Sequence, residues 1–123
     1  SSDIVVSILP ATNETKDLIN KSFFKQMKKK SLLINIGRGS SLNEIQLLQH
    51  IRKNQNFFAS LDVFKKEPLP KNHKFWKNKN ITITPHVAAI TDVESSVDYI
   101  FLKFEQFRLK GKIKSDVRIQ KGY

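Results

Sequence analysis

Four apolar runs of strand length constrain this chain more than anything else in it. They are residues 4–9 (IVVSIL), 32–36 (LLINI), 58–64 (FASLDVF) and 81–84 (ITIT). None alternates strictly between apolar and polar. Near-continuous apolar strands are the mark of a parallel sheet buried on both faces. Helical patterns separate the first three runs, and strand–helix–strand order of this kind predicts an α/β sheet with flanking helices. The stretch before the fourth run, residues 65–80, holds Pro68, Pro70 and Trp76 but no clear helix. The parallel direction of the fourth strand is therefore inferred from its companions. Trp76 reads as an anchor that packs this long loop on the sheet.

The helices carry their own punctuation. Asn20 caps a short helix running to about Lys29, with Phe23, Phe24 and Met27 on its buried side. Asn43 caps a second, with Ile45, Leu48 and Ile51 at helical spacing and Asn54 in the left-handed position after its end. A capping box, Thr91-x-x-Glu94, opens a third that runs to Lys110 and stops at Gly111. Val93, Val97, Ile100, Phe101 and Phe104 form its apolar stripe.

The residues just past the strands are as informative as the strands. Arg38 lies just past the second run, Glu67 past the third, and His86 past the fourth. Parallel strands deliver such residues to one edge of the sheet, where α/β proteins bind ligands. Guanidinium presents a planar fork to a carboxylate, and the glycines flanking Arg38 let the backbone turn and approach a ligand closely. Imidazole, with a reference pKa of about 6.5, exchanges a proton near neutrality. A carboxylate beside it would orient the ring and favour its charged form. Each residue has a plainer reading: a surface arginine in a turn, a structural histidine, a solvated loop glutamate. Asp62, inside an apolar strand, is costly to bury without a donor and also reads as a backbone cap at the strand end. His50, in a helix, and His73, among lysines, are given no role. It is the convergence of Arg38, Glu67 and His86 on one edge that points to carboxylate binding with proton transfer.

The formal charge of +11 raises the possibility of nucleic-acid binding. Yet the excess is almost all lysine, gathered at a helix end (28–30) and in the 71–79 loop, where it aids solubility and the helix dipole. Arginine–aromatic interleaving is absent, so no nucleic-acid partner is expected. With no cysteine and no apolar stretch of membrane-spanning length, neither a thiolate metal site nor a membrane partner is expected. A cytoplasmic location is expected, because no targeting segment is evident.

The motifs resemble those of the D-2-hydroxyacid dehydrogenase family. LINIGRGSSLNEIQLLQHI (33–51), SLDVFKKEPLP (60–70) and ITITPHVAAIT (81–91) match its signatures in order, and SILPATNETKDLIN (7–20) matches the segment upstream. Ala88-Ala89 after the His86-Val87 pair, VDYI in the last helix and the closing Gly122-Tyr123 are most like its glyoxylate/hydroxypyruvate reductase A-type branch. The resemblance implies the C-terminal half of a Rossmann-type doubly wound parallel sheet, a nicotinamide cofactor (NADPH or NADH, with NADPH favoured), a small 2-oxo acid substrate and a homodimer. By it, Arg38 binds the substrate, His86 gives the carbonyl oxygen its proton, and Glu67 partners His86. Asp62 and the backbone at Ile36-Gly37 hold the nicotinamide carboxamide, while Leu9, Pro10 and Ala88 line the cofactor cleft.

The Gly-x-Gly-x-x-Gly turn of such domains is not in this sequence, whose four glycines are Gly37, Gly39, Gly111 and Gly122. The expectation is a C-terminal portion of a longer enzyme, with 1–111 part of the cofactor domain and 112–123 a tail returning toward a substrate domain. Its first strand would then pair with a strand outside the sequence, leaving an apolar edge, and the portion alone would turn over nothing. A non-enzymatic, cofactor-sensing member of the family is the alternative reading, with a basic nucleic-acid-binding domain as a remote third.

Overall fold

The structure, a computed structural model, describes residues 2–89 and 91–112. It falls into two units divided after Ala88. The first holds a four-stranded sheet, β1 (Ile4–Ser7), β2 (Ser31–Asn35), β3 (Phe57–Leu61) and β4 (Ile81–Ile83). The strand order is β1-β2-β3-β4 and every pairing is parallel, in registers that set Ile4 beside Leu32, Ser31 beside Phe57 and Ala59 beside Ile81. The inferred direction of the fourth strand is therefore correct, although only a short 3-10 turn, Lys74–Lys77, precedes it.

Helices α1 (Lys21–Gln26) and α2 (Glu44–Lys53) make the first two crossovers. Crossovers between parallel strands are right-handed. Because the strand order advances in one direction, that handedness puts both helices on the same face. Phe24 of α1 and Leu47 and Ile51 of α2 join Leu33, Phe57, Ala59, Leu61 and Ile81 in one core. The opposite face is open: Ile4 is 57% exposed, Val6 52% and Phe58 48%. The first run is thus not buried on both faces as its composition suggested, and its strand ends at Ser7 rather than Leu9.

Local details follow the side chains. The Asn20 carboxamide oxygen accepts from the Ser22 and Phe23 amides, and α1 ends at Gln26 rather than near Lys29. Asn43 accepts from the Gln46 amide. Along α2 the buried positions are Leu47 and Ile51, while Ile45 faces solvent. Helical spacing fits either set, and the register of α2 against β2 and β3 selects one. Asn54 is not left-handed (φ −134°, ψ 81°), and its amide donates to the His50 and Ile51 carbonyls. Trp76 is half-exposed, and its indole N–H donates to the Pro70 carbonyl at 2.9 Å. Its neighbour Phe75 is the side chain that enters the core.

The second unit holds α3 (Val93–Lys110), capped by Asp92 rather than Thr91 and stopped by left-handed Gly111 (φ 65°). Asp92 accepts from the Ser95 amide at 3.0 Å. The tail expected from Lys112 onward lies, beyond Lys112 itself, outside the described residues.

Candidate active site

All four strands end on one edge, so the segments after them share a rim. Two glycines build the Arg38 turn there. A side chain on Gly37 would stand 2.6 Å from the Leu9 backbone nitrogen, and one on Gly39 would stand 2.0 Å from the Phe64 carbonyl carbon. The turn is therefore wedged between the segments beyond β1 and β3. Asn35, fully buried at the end of β2, accepts from the Gly37 amide at 3.3 Å, and the Ser41 hydroxyl donates to the Arg38 carbonyl at 2.7 Å. The Arg38 guanidinium makes one bond of its own, to the Gly37 carbonyl. No carboxylate pairs with it among the described residues, which leaves most of its fork for an anion.

His86 has a left-handed backbone (φ 56°), strained for a residue with a Cβ. Its amide donates to the Asp62 carbonyl at 2.9 Å. Asp62 holds the rest of that loop. Its Oδ1 accepts from the Val87 amide at 3.0 Å and from the Thr84 hydroxyl, and its Oδ2 accepts from the Ala88 amide at 3.0 Å. Burial pushes this carboxyl upward. The hydrogen bonds from Thr84, Ala88 and Val87, with His86 nearby, outweigh that and leave it below the ordinary aspartate range. The strand-end cap reading of Asp62 fits this geometry. Three acceptor positions are used, and one remains.

Glu67 lies 2.8 Å from His86, carboxylate Oε2 to ring Nδ1. Its other oxygen accepts from the Phe64 amide at 2.8 Å. Partial burial raises this carboxyl as well. The hydrogen bonds from His86 and Phe64 prevail and hold it below the usual glutamate value. An ionised carboxylate can only accept, so Nδ1 carries the hydrogen and Nε2 is left to exchange a proton. Arg38, Ser40, Glu67 and His86 together line one cavity of about 280 Å³.

The remaining expected residues lie on the same rim. Leu9 and Pro10 are half-buried beside Gly37; Ile36, which donates its amide to the Ser7 carbonyl, and Ala88 are exposed. A polar ligand has groups to meet there. The Ser40 hydroxyl in the cavity wall and the Ser7 hydroxyl at the end of β1 are buried with no partner among the described residues. Each, like the last acceptor position of Asp62, is a polar group that the amide of a bound nicotinamide could engage. Asn35, Thr84 and the two serines were not singled out from sequence. Asn35 in LLINI and Ser7 in IVVSIL, polar side chains inside apolar runs, were the available signals.

A parallel sheet whose strand ends gather an arginine and a carboxylate–histidine pair has the architecture of a dinucleotide-binding domain of the dehydrogenase kind. The sequence profile of the D-isomer specific 2-hydroxyacid dehydrogenase NAD-binding domain matches residues 1–88, and the chain belongs to that family. Among curated relatives, the glyoxylate/hydroxypyruvate reductase A of Photorhabdus laumondii is 45% identical over 99% of this chain and 39% of its own length. That of Yersinia enterocolitica is 36% identical over 98% and 38%. The chain thus spans about two fifths of these relatives. Of solved structures, a D-isomer specific 2-hydroxyacid dehydrogenase from Xanthobacter autotrophicus in complex with NADPH superposes with a TM-score of 0.90 at 31% identity, over 99% of this chain and 50% of that one. The NADPH-dependent glyoxylate/hydroxypyruvate reductase of Sinorhizobium meliloti in complex with NADP gives 0.89 at 31% identity, over 99% and 40%.

Proposed function

We propose that this chain is the catalytic part of an NAD(P)H-dependent reductase of small 2-oxo acids, glyoxylate or hydroxypyruvate, with NADPH the preferred donor. The observation that carries the reading is the His86–Glu67 pair at 2.8 Å in a cavity shared with an arginine that has no carboxylate partner among the described residues. The identity with glyoxylate/hydroxypyruvate reductases supports the substrate class, and the NADPH and NADP complexes of similar structures support the cofactor.

When bound, the nicotinamide supplies a hydride to the carbonyl carbon. The protein's residues do the rest. Arg38 takes the substrate carboxylate and fixes its direction. His86, charged and held by Glu67, gives its Nε2 proton to the carbonyl oxygen, so that a 2-oxo acid, a hydride and a proton become a 2-hydroxy acid. Asp62 keeps the Thr84–Ala88 loop in place and offers its remaining acceptor position to the carboxamide. Leu9, Pro10, Ile36, Gly37 and Ala88 form the wall on which the nicotinamide lies.

The test is the loss of 340 nm absorbance when the protein carrying this chain is mixed with NADPH or NADH and either acid. Turnover that falls about 100-fold or more in Arg38→Ala, chiefly through KM, is the expected result. Tight cofactor binding with no turnover of any 2-oxo acid would replace the reductase with a cofactor sensor.

A further inference from the structure

The groove between α1 and α2 holds a cavity of about 340 Å³, which shares no residue with the cavity of Arg38 and His86. Lys21 and Lys25 of α1, Lys29 of the segment after it and Lys53 of α2 line this groove, and no carboxylate does. Elsewhere lysines find counter-charges: Lys28 pairs with Asp3 at 2.7 Å, and Lys65 pairs with Asp17. None of the four in the groove has an ion pair among the described residues. Lys25 and Lys53 lie in last turns, where they offset the helix dipoles. A dipole brings about half a unit of negative charge to a helix end, so two such ends leave most of the positive charge uncompensated. The two helices are also tied together at the groove, where the Gln46 side-chain oxygen accepts from the Lys21 amide at 2.6 Å.

His50 forms part of the wall. Its ring stacks on Phe24, with centroids 5.0 Å apart, and meets Phe57 edge-on at 4.6 Å. The Asn54 carboxamide nitrogen, 3.4 Å from Nδ1, can only donate, so Nε2 carries the ring hydrogen. That N–H is buried with no hydrogen-bond partner among the described residues. Burial holds the imidazole below the ordinary histidine value and keeps it neutral. A buried donor without an acceptor and four ammonium groups without a counter-charge call for the same thing, an anion. We propose that the groove between α1 and α2 is a binding site for a small polyanion carrying adjacent phosphoryl groups, held by Lys21, Lys25, Lys29 and Lys53. Lysine binds phosphate as a point charge, and linked phosphoryl groups pack several negative charges into a volume of this size. The concavity favours a free small molecule over a nucleic-acid backbone, which is tracked by an extended groove. The site is independent of the reductase reading.

Inorganic tripolyphosphate is the probe, titrated calorimetrically into the protein carrying this chain. Saturable one-to-one binding is expected. Its Kd should rise about tenfold or more in Lys25→Gln/Lys53→Gln, and by about twofold or less in the charge-matched Lys71→Gln/Lys79→Gln of the loop before β4. The NMR signals of the His50 ring should move on binding, while those of His73 stay in place. Equal weakening in the two double variants would overturn the site, since net charge alone would then account for binding. Binding untouched by Lys25→Gln/Lys53→Gln, or binding that leaves the His50 signals unmoved, would overturn it too, because the anion would sit elsewhere. Retention on duplex DNA or on phosphatidylserine vesicles that falls in Lys25→Gln/Lys53→Gln, without tripolyphosphate binding, would replace the small polyanion with a macromolecular surface.

Discussion

Asp62 shows how far one side chain organises this rim. Its carboxylate takes two amides and a hydroxyl from the loop that presents His86. Removing it in Asp62→Ala takes three hydrogen bonds from a half-exposed loop, at a cost of about 1–2 kcal/mol. Because its pKa is depressed on folding, its contribution is present above the ordinary aspartate range and lost as pH falls through the lower folded value. Urea unfolding between pH 3 and 7 should therefore show a steeper acid decline in the wild type than in Asp62→Asn. Glu67, depressed for a related reason, acts on the chemistry instead. Glu67→Gln removes the carboxylate that orients the His86 ring through Nδ1, so kcat should fall about 10- to 100-fold in steady-state assays. The shared rim position of Arg38, Glu67 and His86 was legible in the sequence because parallel strands deliver the residues just past them to one edge. Asn35 and Thr84 were not: a small polar residue in a strand gains its meaning from a partner that only the tertiary fold supplies.

The turns and caps carry the next level of information. Asn20 and Asn43 could be read directly, since a cap satisfies amides two or three residues away and needs no distant partner. Gly37 and Gly39 could be read as a turn, but not as the two close approaches that they make to Leu9 and Phe64. Gly39→Ala forces a Cβ onto the Phe64 backbone and should cost on the order of 3 kcal/mol, with the Arg38 turn displaced. Gly111→Ala meets nothing within 4 Å and bears only the strain of its left-handed φ, so about 1 kcal/mol is expected. Comparing the two midpoints in urea separates crowding from backbone strain. β1, β3 and β4 proved shorter than their apolar runs, because residues such as Leu9 and Phe64 pack at the rim rather than in the ladder.

The handedness of the crossovers leaves one sheet face and the β1 edge open, and near-continuous apolar composition could not reveal it, since the run looks the same whether one face is covered or two. With Ile4, Val6 and Phe58 exposed beside that edge, this chain by itself should self-associate with rising concentration, and sedimentation velocity should show Val6→Lys and Phe58→Lys shifting it toward monomer. The parallel sheet itself was legible, and with it the convergence of Arg38, Glu67 and His86 on one edge. That convergence is probed most sharply by glyoxylate reduction with NADPH, in the protein carrying this chain, with and without His86→Asn. We expect kcat to fall by about 10³-fold or more while cofactor binding stays within about twofold. Turnover within about tenfold of wild type would refute His86 as the proton donor, and the proton would have to come from elsewhere.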